Sequence, residues 1–147
     1  MLRRAAEIDV GEIVAFEIDV MNTKLYGKPL DHDAARSEIA INAYYLNLRD
    51  QRIIATGAFR RREDASVYLS NIAVRPELRR MGLARAMLLH LLSCCSDAPT
   101  IDLAVHPENQ PALGLYASLN FAPTRRHENF FGDGEPRLLM VRSTTTI

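Results

Sequence analysis

A chain of 147 residues and 16.5 kDa is long enough to bury one hydrophobic core. Hydrophobic residues make up 48% of it and charged residues 24%, a globular composition that excludes an intrinsically disordered chain. Basic and acidic residues balance at 18 each, so there is no net charge to hold a nucleic acid or an anionic membrane. We therefore expect a single domain over residues 1–147, with neither a nucleic-acid nor a membrane partner.

The apolar segments and the cysteines favour a cytoplasmic protein. The longest apolar run, from Ala86 to Leu92, is too short to span a bilayer, and acids follow the basic start where a signal peptide needs apolar residues. Cys94 and Cys95 are adjacent in a helical pattern, where neighbouring side chains point apart and do not form a disulfide. They are most simply core residues, a catalytic thiol being the alternative, and no metal site is expected.

Hydrophobic spacing and turn residues divide the first part of the chain into five elements. In chain order we expect a strand at Leu2–Ala6, a helix capped by Asp9, and a weaker helix that is capped within Asp31–Asp33 and runs to about Ala43. Strands at Tyr44–Asn47 and Arg52–Phe59 would follow. Asp50-Gln51 would form the turn between the last two strands.

The second part begins with the clearest strand, Ala65–Val74, in which alternate residues face opposite sides of a sheet. One side would carry Val67, Leu69, Asn71 and Ala73, and the other Tyr68, Ser70, Ile72 and Val74. The remaining elements are a helix opened by Gly82, a strand at Ile101–Val105, a helix capped by Asn109, and a hairpin of Ala122–Arg126 with Leu138–Arg142. The order β-αα-βββ-α-β-α-ββ describes an α/β fold with a mixed sheet and helices on both faces.

The segment from Asn71 to Arg85 leads from a buried strand through a basic turn to the N-terminus of a helix. A helix N-terminus presents unpaired N–H groups and the positive end of the helix dipole, which suit an anion such as a pyrophosphate. Gly82 lacks a Cβ and would let a phosphate approach the backbone, while Arg79 and Arg80 add positive charge. A solvated basic turn is the equally weighted alternative on these features alone.

Two motifs resemble those of the GCN5-related N-acetyltransferase (GNAT) superfamily. The sequence Arg79-x-x-Gly82-x-Ala84 satisfies the family's acetyl-CoA-binding pattern Gln/Arg-x-x-Gly-x-Gly/Ala. Further along, the residues from Asn109 to Phe121 are similar to the family's Asn…Ala-x-x-Leu-Tyr-x-x-x-Gly-Phe signature, with asparagine in place of the usual glycine. Asparagine also adopts left-handed helix exits, so this departure is mild. The resemblance implies a GNAT fold and acetyl-CoA as co-substrate.

The resemblance also implies roles for individual residues. Ile72, Ala73 and Val74 would offer backbone groups to the pantetheine arm of the cofactor, and Asn109 would contact the cofactor near that arm. Tyr116 would lie beside the sulfur and donate a proton to the leaving thiolate; the alternative is a core aromatic residue. The amides that would cradle the pyrophosphate are those of Arg79, Arg80, Met81, Gly82, Leu83, Ala84 and Arg85.

The resemblance to the family does not identify the general base, which is the group that would take the proton of the amine. The motifs most resemble the bacterial branch that acetylates the N-terminal alanine of ribosomal proteins, but this chain has Ala104 where that branch has its glutamate. Tyr68 stands where another branch has one. His106 is our candidate because its ordinary pKa is close to neutral. Glu108, Glu128 and a chain of water molecules are alternatives, and His106 could instead be an ordinary surface residue.

Acidic residues outnumber basic ones between Glu7 and Asp33, the region that walls the acceptor site in this superfamily. The acids are Glu7, Asp9, Glu12, Glu17, Asp19, Asp31 and Asp33, against the bases Lys24 and Lys28. Such a rim would attract a cationic amine, although a solvated acidic helix face is the commoner explanation. Phe130 and Phe131 stand where the ribosomal-protein branch has a tyrosine pair, which weakens an assignment to N-terminal peptides; they could line the acceptor slot or pack in the core.

We therefore expect an enzyme that transfers an acetyl group from acetyl-CoA to a primary amine, at a protein N-terminus or a lysine. The first alternative is an acetyltransferase of small cationic amines, such as polyamines or aminoglycoside-like compounds. The second is a non-catalytic sensor that binds acetyl-CoA. A homodimer is the default expectation for a compact enzyme.

Overall fold

The computed structural model describes residues 1–21 and 23–143, which form seven strands and four α-helices. The strands are β1 (Leu2–Arg4), β2 (Ala43–Arg49), β3 (Arg52–Arg61), β4 (Val67–Val74), β5 (Thr100–Val105), β6 (Ala122–His127) and β7 (Arg137–Ser143). The helices are α1 (Val10–Val20), α2 (His32–Ile41), α3 (Leu83–Cys94) and α4 (Gln110–Ser118), with 3₁₀ turns at Glu7–Asp9 and Pro76–Leu78. The α/β class and the order of elements predicted from the sequence are confirmed.

The sheet separates near its middle. Its strand order is β1-β2-β3-β4-β5-β7-β6, and β4 with β5 is the parallel pair among its neighbours. These two strands pair at Val67 with Ile101 and at Tyr68 with Asp102, close to where each begins. Past Tyr68 they diverge, so the second half of β4 is hydrogen-bonded to β3 on one side and faces a gap on the other.

Two apolar clusters cover the two faces of the sheet. One packs α3 and α4 against the sheet through residues such as Leu88, Leu91 and Phe121, and the other packs α1 and α2 through residues such as Phe16. A Cβ at Gly57 of β3 would lie 2.5 Å from Met87 Cγ, so glycine lets α3 approach the sheet closely. Helices on both faces agree with the predicted architecture.

The alternation predicted for β4 is wrong beyond Leu69. Leu69 and Val74 belong to the cluster under α3, whereas Ala73 belongs to the cluster under α1, so the predicted grouping of Leu69 with Ala73 fails. Adjacent residues of β3 pair with the two neighbours of Ser70, which leaves Ser70 without a partner in the ladder. This β-bulge reverses the facing of every residue that follows it.

The helix caps are as predicted at two of three positions. Asp31 and Asn109 each accept a hydrogen bond from the backbone N–H three residues further on, at 2.8 and 3.4 Å. The prediction for Asp9 is wrong, because its carboxylate accepts hydrogen bonds from the Arg3 guanidinium at 2.7 and 2.9 Å and from the Ala6 N–H at 2.8 Å. Asp9 therefore ties β1 to the start of α1 instead of capping the helix.

The two cysteines are free, as expected. Cys95 is fully buried in the cluster under α3, and burial raises the pKa of its thiol to about 11, which fits a core residue. Cys94 is partly exposed and its Sγ lies 3.7 Å from the Tyr45 hydroxyl. In the ranges that the structure covers, none of the helices has the length and apolar character needed to traverse a lipid bilayer.

Candidate active site

The gap between β4 and β5 opens into a cavity of about 1150 Å³. Its walls come from α1 and the segment that leads to α2, the second half of β4, the start of α3, β5, α4 and the β6–β7 connection. Small-molecule sites usually measure roughly 300–1,000 Å³. The cavity is therefore large enough for an extended cofactor together with a second substrate.

The sequence-predicted site residues come together in this cavity, with Met81 as the exception. The cavity is lined by Ile72, Ala73, Val74, Arg79, Arg80, Gly82, Leu83, Ala84, Arg85, His106, Asn109 and Tyr116. Met81 points away, and its side chain is among the exposed large apolar residues at 58% exposure. For Met81 the predicted cofactor role thus rests on its backbone amide alone.

The turn before α3 has the shape of an anion cradle. Gly82 adopts a left-handed φ of +78°, and nothing lies within 4 Å of the position that a Cβ would occupy there. The Ala86 N–H donates to the Gly82 carbonyl at 2.9 Å, so the amides before it in the first turn have no acceptor within the helix. With Arg79 and Arg85 on the same wall, the residues present fit the phosphates of a cofactor such as coenzyme A.

The open side of β4 suits an extended ligand. Ile72, Ala73 and Val74 pair with β3 on one side, and the described residues place no strand against their other side. Backbone N–H and C=O groups that face a gap can bind an elongated molecule in the way that an added strand binds. This geometry matches the predicted contacts with a pantetheine arm.

Tyr116 lies on α4 with its side chain largely buried against Phe121, the two ring centroids being 5.9 Å apart. Burial raises the pKa of its hydroxyl above the ordinary tyrosine value, and the nearby Tyr26 adds to the effect. In residues 1–21 and 23–143 the hydroxyl has no hydrogen-bond partner, and the side chain lines the cavity. Tyr116 is thus a neutral hydroxyl that can donate a proton into the cavity.

His106 is a buried residue, so the surface alternative is wrong. It is 1% exposed, its Nε2 lies 2.7 Å from Glu135 Oε1, and its Nδ1 accepts the Glu108 N–H at 3.1 Å. Because Nδ1 accepts, the neutral ring carries its proton on Nε2 and donates it to Glu135. Both ring nitrogens are used within the protein, which favours a positioning role over direct removal of a proton.

The two alternative carboxylates, Glu108 and Glu128, are exposed side chains outside the lining of the cavity. Glu108 forms an ion pair with Lys24 at 3.0 Å, and Glu128 forms one with Arg126 at 2.7 Å. Both carboxylates are held by surface cations, and we do not retain either as a proton acceptor.

The acidic rim does not surround the cavity. Of the seven acids between Glu7 and Asp33, Glu17 lines it. Four of the others form ion pairs outside the cavity, namely Glu7 and Asp33 with Arg36, Asp9 with Arg3, and Asp19 with Arg75. Most of the negative charge that was predicted to attract a cationic amine is therefore paired with arginines outside the cavity.

Glu17 is the site residue that the sequence analysis missed. It lies on α1, is 4% exposed, and accepts the Leu30 N–H on Oε1 at 3.1 Å. Burial raises the pKa of its carboxyl to about 7, and the charge of Glu38 adds to the shift. Its position in the sequence could have indicated that it is buried, because Glu17 falls on the apolar stripe of α1 with Ile13 and Val20.

The aromatic pair of the β6–β7 connection forms another part of the wall. Phe130 and Phe131 both line the cavity, in an edge-to-face contact with centroids 4.9 Å apart. The buried Arg137 lies 4.9 Å from the Phe131 centroid and pairs with Asp133 at 3.2 Å. Of the two predicted uses, lining of the cavity is therefore confirmed over core packing.

The fold and the cavity define a class of α/β protein in which two separated strands flank a cavity that an extended anionic ligand would fit. The chain belongs to the acetyltransferase (GNAT) family, whose model matches residues 14–121. The family predicted from the two sequence motifs is thus confirmed.

Known proteins similar to this chain include two with curated functions. An N-alpha-acetyltransferase of Saccharolobus solfataricus is 37% identical over 78 residues, which cover 51% of this chain and 47% of the relative. A ribosomal protein bS18-alanine N-acetyltransferase of Escherichia coli is 38% identical over 65 residues, covering 43% of this chain and 44% of the relative. The chain thus spans about half the length of the curated relatives that it matches.

A solved structure supports the fold over the whole chain. The ribosomal-protein-S18-alanine N-acetyltransferase from Escherichia coli matches with a TM-score of 0.84 and 22% identity, covering 100% of this chain and 95% of that one. The match agrees with the element order and the mixed sheet described above.

Proposed function

We propose that this protein transfers an acetyl group from acetyl-CoA to the α-amine of a protein N-terminus. The observation that carries the proposal is the open edge of β4, which leads directly to the Gly82 cradle and faces the same cavity as Tyr116. The names of the two curated relatives, an N-alpha-acetyltransferase and a ribosomal-protein alanine N-acetyltransferase, support the α-amine as acceptor.

Each part of the cofactor has a matching part of the wall. The backbone of Ile72–Val74 would bind the pantetheine arm, and the amides around Gly82 would bind the pyrophosphate. Arg79 and Arg85 would offset its negative charge. Asn109 lines the cavity, but its Oδ1 already accepts the first-turn N–H of α4, so its amide NH₂ is the group left for the cofactor.

The chemistry needs a proton donor and a polarised carbonyl. Acetyl-CoA supplies a thioester, whose carbonyl carbon is attacked by the amine nitrogen while the carbon–sulfur bond breaks. The Tyr116 hydroxyl donates its proton to the departing sulfur, and its raised pKa keeps that proton in place until then. A backbone N–H on the open edge of β4 would donate to the carbonyl oxygen as negative charge develops there.

The acceptor side favours a peptide over a polycation. Phe130 and Phe131 present apolar surface to the cavity, and the acids of the predicted rim are tied up in ion pairs elsewhere. A polyamine or an aminoglycoside carries several charges that this wall does not match. A single terminal amine fits it better.

An assay of coenzyme A thiol release would test the proposal. The acceptors are an alanine-initiated peptide, a lysine peptide with a blocked N-terminus, spermidine and an aminoglycoside. We expect turnover with the alanine-initiated peptide. Turnover with spermidine or the aminoglycoside alone would favour the small-amine alternative, and binding of acetyl-CoA without turnover on any acceptor would favour the sensor.

A further inference from the structure

The positions that carry the general base in related branches are occupied here by Ala104 and Tyr68, and both of these residues line the cavity. Among the described lining residues, the carboxylates are Glu17, Glu38 and Asp102. Asp102 is held by the Arg62 guanidinium in two hydrogen bonds of 2.6 and 3.0 Å. The carboxylate that could receive a proton is therefore to be sought at Glu17 or Glu38.

Burial distinguishes these two carboxylates, since Glu17 is 4% exposed and Glu38 is only partly buried, while each accepts one hydrogen bond. Glu38 Oε2 accepts the Asn42 amide at 2.6 Å. Glu17 Oε1 accepts the Leu30 N–H at 3.1 Å, and in the part of the chain that the structure describes Glu17 Oε2 has no hydrogen-bond partner. One oxygen of a buried, cavity-lining carboxylate is thus available to an incoming group.

We propose that Glu17 accepts the proton of the attacking amine and that Glu38 tunes Glu17 as a like-charged neighbour. The proposal rests on the acetyl transfer proposed above and adds to it the identity of the base, on a helix rather than on either strand that flanks the gap.

The surroundings of Glu17 raise the pKa of its carboxyl towards neutral pH. Burial raises the pKa of the Glu17 carboxyl to about 7, and Glu38 on α2 raises it further by repulsion. Nearby on β2, Tyr44 is buried, and the charge of Glu17 contributes to the raised pKa of its hydroxyl. A base with a pKa close to the working pH is best suited to remove a proton and to release it again.

Two cations near α1, Arg36 and Arg75, are already paired. Arg36 on α2 binds Glu7 and Asp33, with the shorter contact at 2.7 Å, and Arg75 after β4 binds Asp19 at 3.1 Å. No ion pair of Glu17 occurs among the described residues. Arg36 and Arg75 are therefore engaged elsewhere, and Lys28, on the segment between α1 and α2, is a cation that lines the cavity together with Glu17.

The bulge in β4 fixes the position of Glu38. The Ser70 hydroxyl donates to Asn42 Oδ1 at 3.1 Å, and the Asn42 amide donates in turn to Glu38 Oε2 at 2.6 Å. Ser70 is the residue that the bulge leaves unpaired in the ladder. Two hydrogen bonds thus link the bulge of β4 to the second carboxylate that lines the cavity with Glu17.

The proton balance of the reaction is complete with these groups. The acceptor arrives as an ammonium ion and loses one proton to Glu17, which becomes neutral. The amine lone pair forms the nitrogen–carbon bond, the carbon–sulfur bond breaks, and the sulfur takes the Tyr116 hydroxyl proton. The second amine proton returns to the Tyr116 oxygen, and Glu17 releases its proton to solvent. The net products are an amide, a thiol and one proton.

The first test is Glu17→Gln, which keeps the size of the side chain and can still accept the Leu30 N–H. We expect kcat/KM for the alanine-initiated peptide to fall about 100-fold or more, with the Kd of acetyl-CoA unchanged. The matched control is Glu12→Gln, an exposed carboxylate on the same helix, for which both values should stay at the wild-type level.

The pH dependence of kcat/KM separates a base from a structural residue. The wild-type profile should fall on the acid side with an apparent pKa near 7, and Glu17→Gln should remove this limb. Glu38→Gln should move the limb to lower pH while turnover above it persists, because one negative charge beside Glu17 is lost. A residue with a structural role alone would not move the limb.

Thermal unfolding, which needs no turnover, provides a further test. Because the folded-state pKa of Glu17 is raised, its ionisation destabilises the fold as pH rises from the unfolded value through about 7. The melting temperature of Glu17→Gln relative to wild type should therefore be higher at about pH 8 than at about pH 5.

The outcomes distinguish the two proposals. An active wild type with an active Glu17→Gln variant and an unchanged acid limb would overturn this inference alone. The absence of wild-type turnover on every amine would overturn the acetyl-transfer proposal and this inference with it.

Discussion

The two walls of the cavity are built in different ways. The wall proposed to bind the cofactor, called the cofactor wall, is one continuous stretch from the open edge of β4 through Gly82 to the start of α3, and it would act through its backbone. The wall proposed to face the acceptor, called the acceptor wall, joins distant segments: the His106 side chain meets Glu135 at 2.7 Å, and Glu17 accepts the Leu30 N–H at 3.1 Å. A local sequence motif is sufficient to form the cofactor wall, whereas the acceptor wall depends on contacts between distant segments that exist only after folding.

The largest expected effect comes from Tyr116, the residue proposed to donate the proton to the leaving thiolate. Tyr116→Phe removes the hydroxyl and keeps the ring that packs on Phe121. We expect kcat to fall about 100-fold or more, because proton donation to the leaving thiolate is lost, while the Kd of acetyl-CoA stays unchanged. The measurement is thiol release with calorimetric titration of the cofactor, and turnover at the wild-type level would remove Tyr116 from the chemistry.

A change at Arg137 should damage the acceptor wall and leave the cofactor wall intact. Arg137→Met keeps an apolar stem but removes the pairing with Asp133 and the contact with the Phe131 ring. We expect the free energy of unfolding to drop by about 1–3 kcal/mol and the KM for the peptide to rise. Urea unfolding and steady-state kinetics measure both quantities. A weakened affinity for acetyl-CoA with an unchanged peptide KM would contradict the division between the walls.

Gly82→Ala should damage the cofactor wall and leave the acceptor wall intact. The residue has a φ of +78°, where a Cβ costs about 1–2 kcal/mol, and the added methyl would occupy the space that a phosphate needs. We expect the Kd of acetyl-CoA to rise about 10-fold, with the peptide KM unchanged. Gly114→Ala in α4 is the control, because open space surrounds its Cβ position and the helix favours alanine. An equal effect of both variants on the Kd would contradict the cradle.

The smallest expected effect concerns the start of α1, far from either ligand. Hydrogen bonds from Arg3 hold the pKa of the Asp9 carboxyl below its usual value. A lowered folded-state pKa contributes stability above the unfolded value and loses it as pH falls through the folded one. Asp9→Asn should therefore cost less than about 1 kcal/mol at neutral pH, and this difference should vanish in strong acid. Thermal melts across acid pH would show it, and a constant difference would contradict it.

The sequence predicted the parts of the molecule that depend on neighbours in the chain. The order of elements and the caps Asp31 and Asn109 follow from local spacing and hydrogen bonding. Gly82 and the arginines around it line one cavity, as neighbours in the chain can do without distant contacts, and their role toward a cofactor stays a prediction.

The errors arise where tertiary contacts decide. The bulge at Ser70 has no glycine or proline to mark it, so the alternation of β4 looked continuous. His106 is buried because Glu135, distant in the chain, folds back onto it. Glu17 was counted among the seven acids of the predicted rim and was not singled out, although it shares the apolar stripe of α1 and lines the cavity.

The most direct test of the central claim identifies the nitrogen that is acetylated. A peptide with a free N-terminal alanine and an internal lysine is incubated with acetyl-CoA and the protein, and the product is fragmented in a mass spectrometer. The proposed function predicts that the acetyl group is on the α-amine of the alanine and that the lysine side chain remains free. Acetyl on the lysine, or a peptide left unmodified by a protein that binds acetyl-CoA, would contradict it.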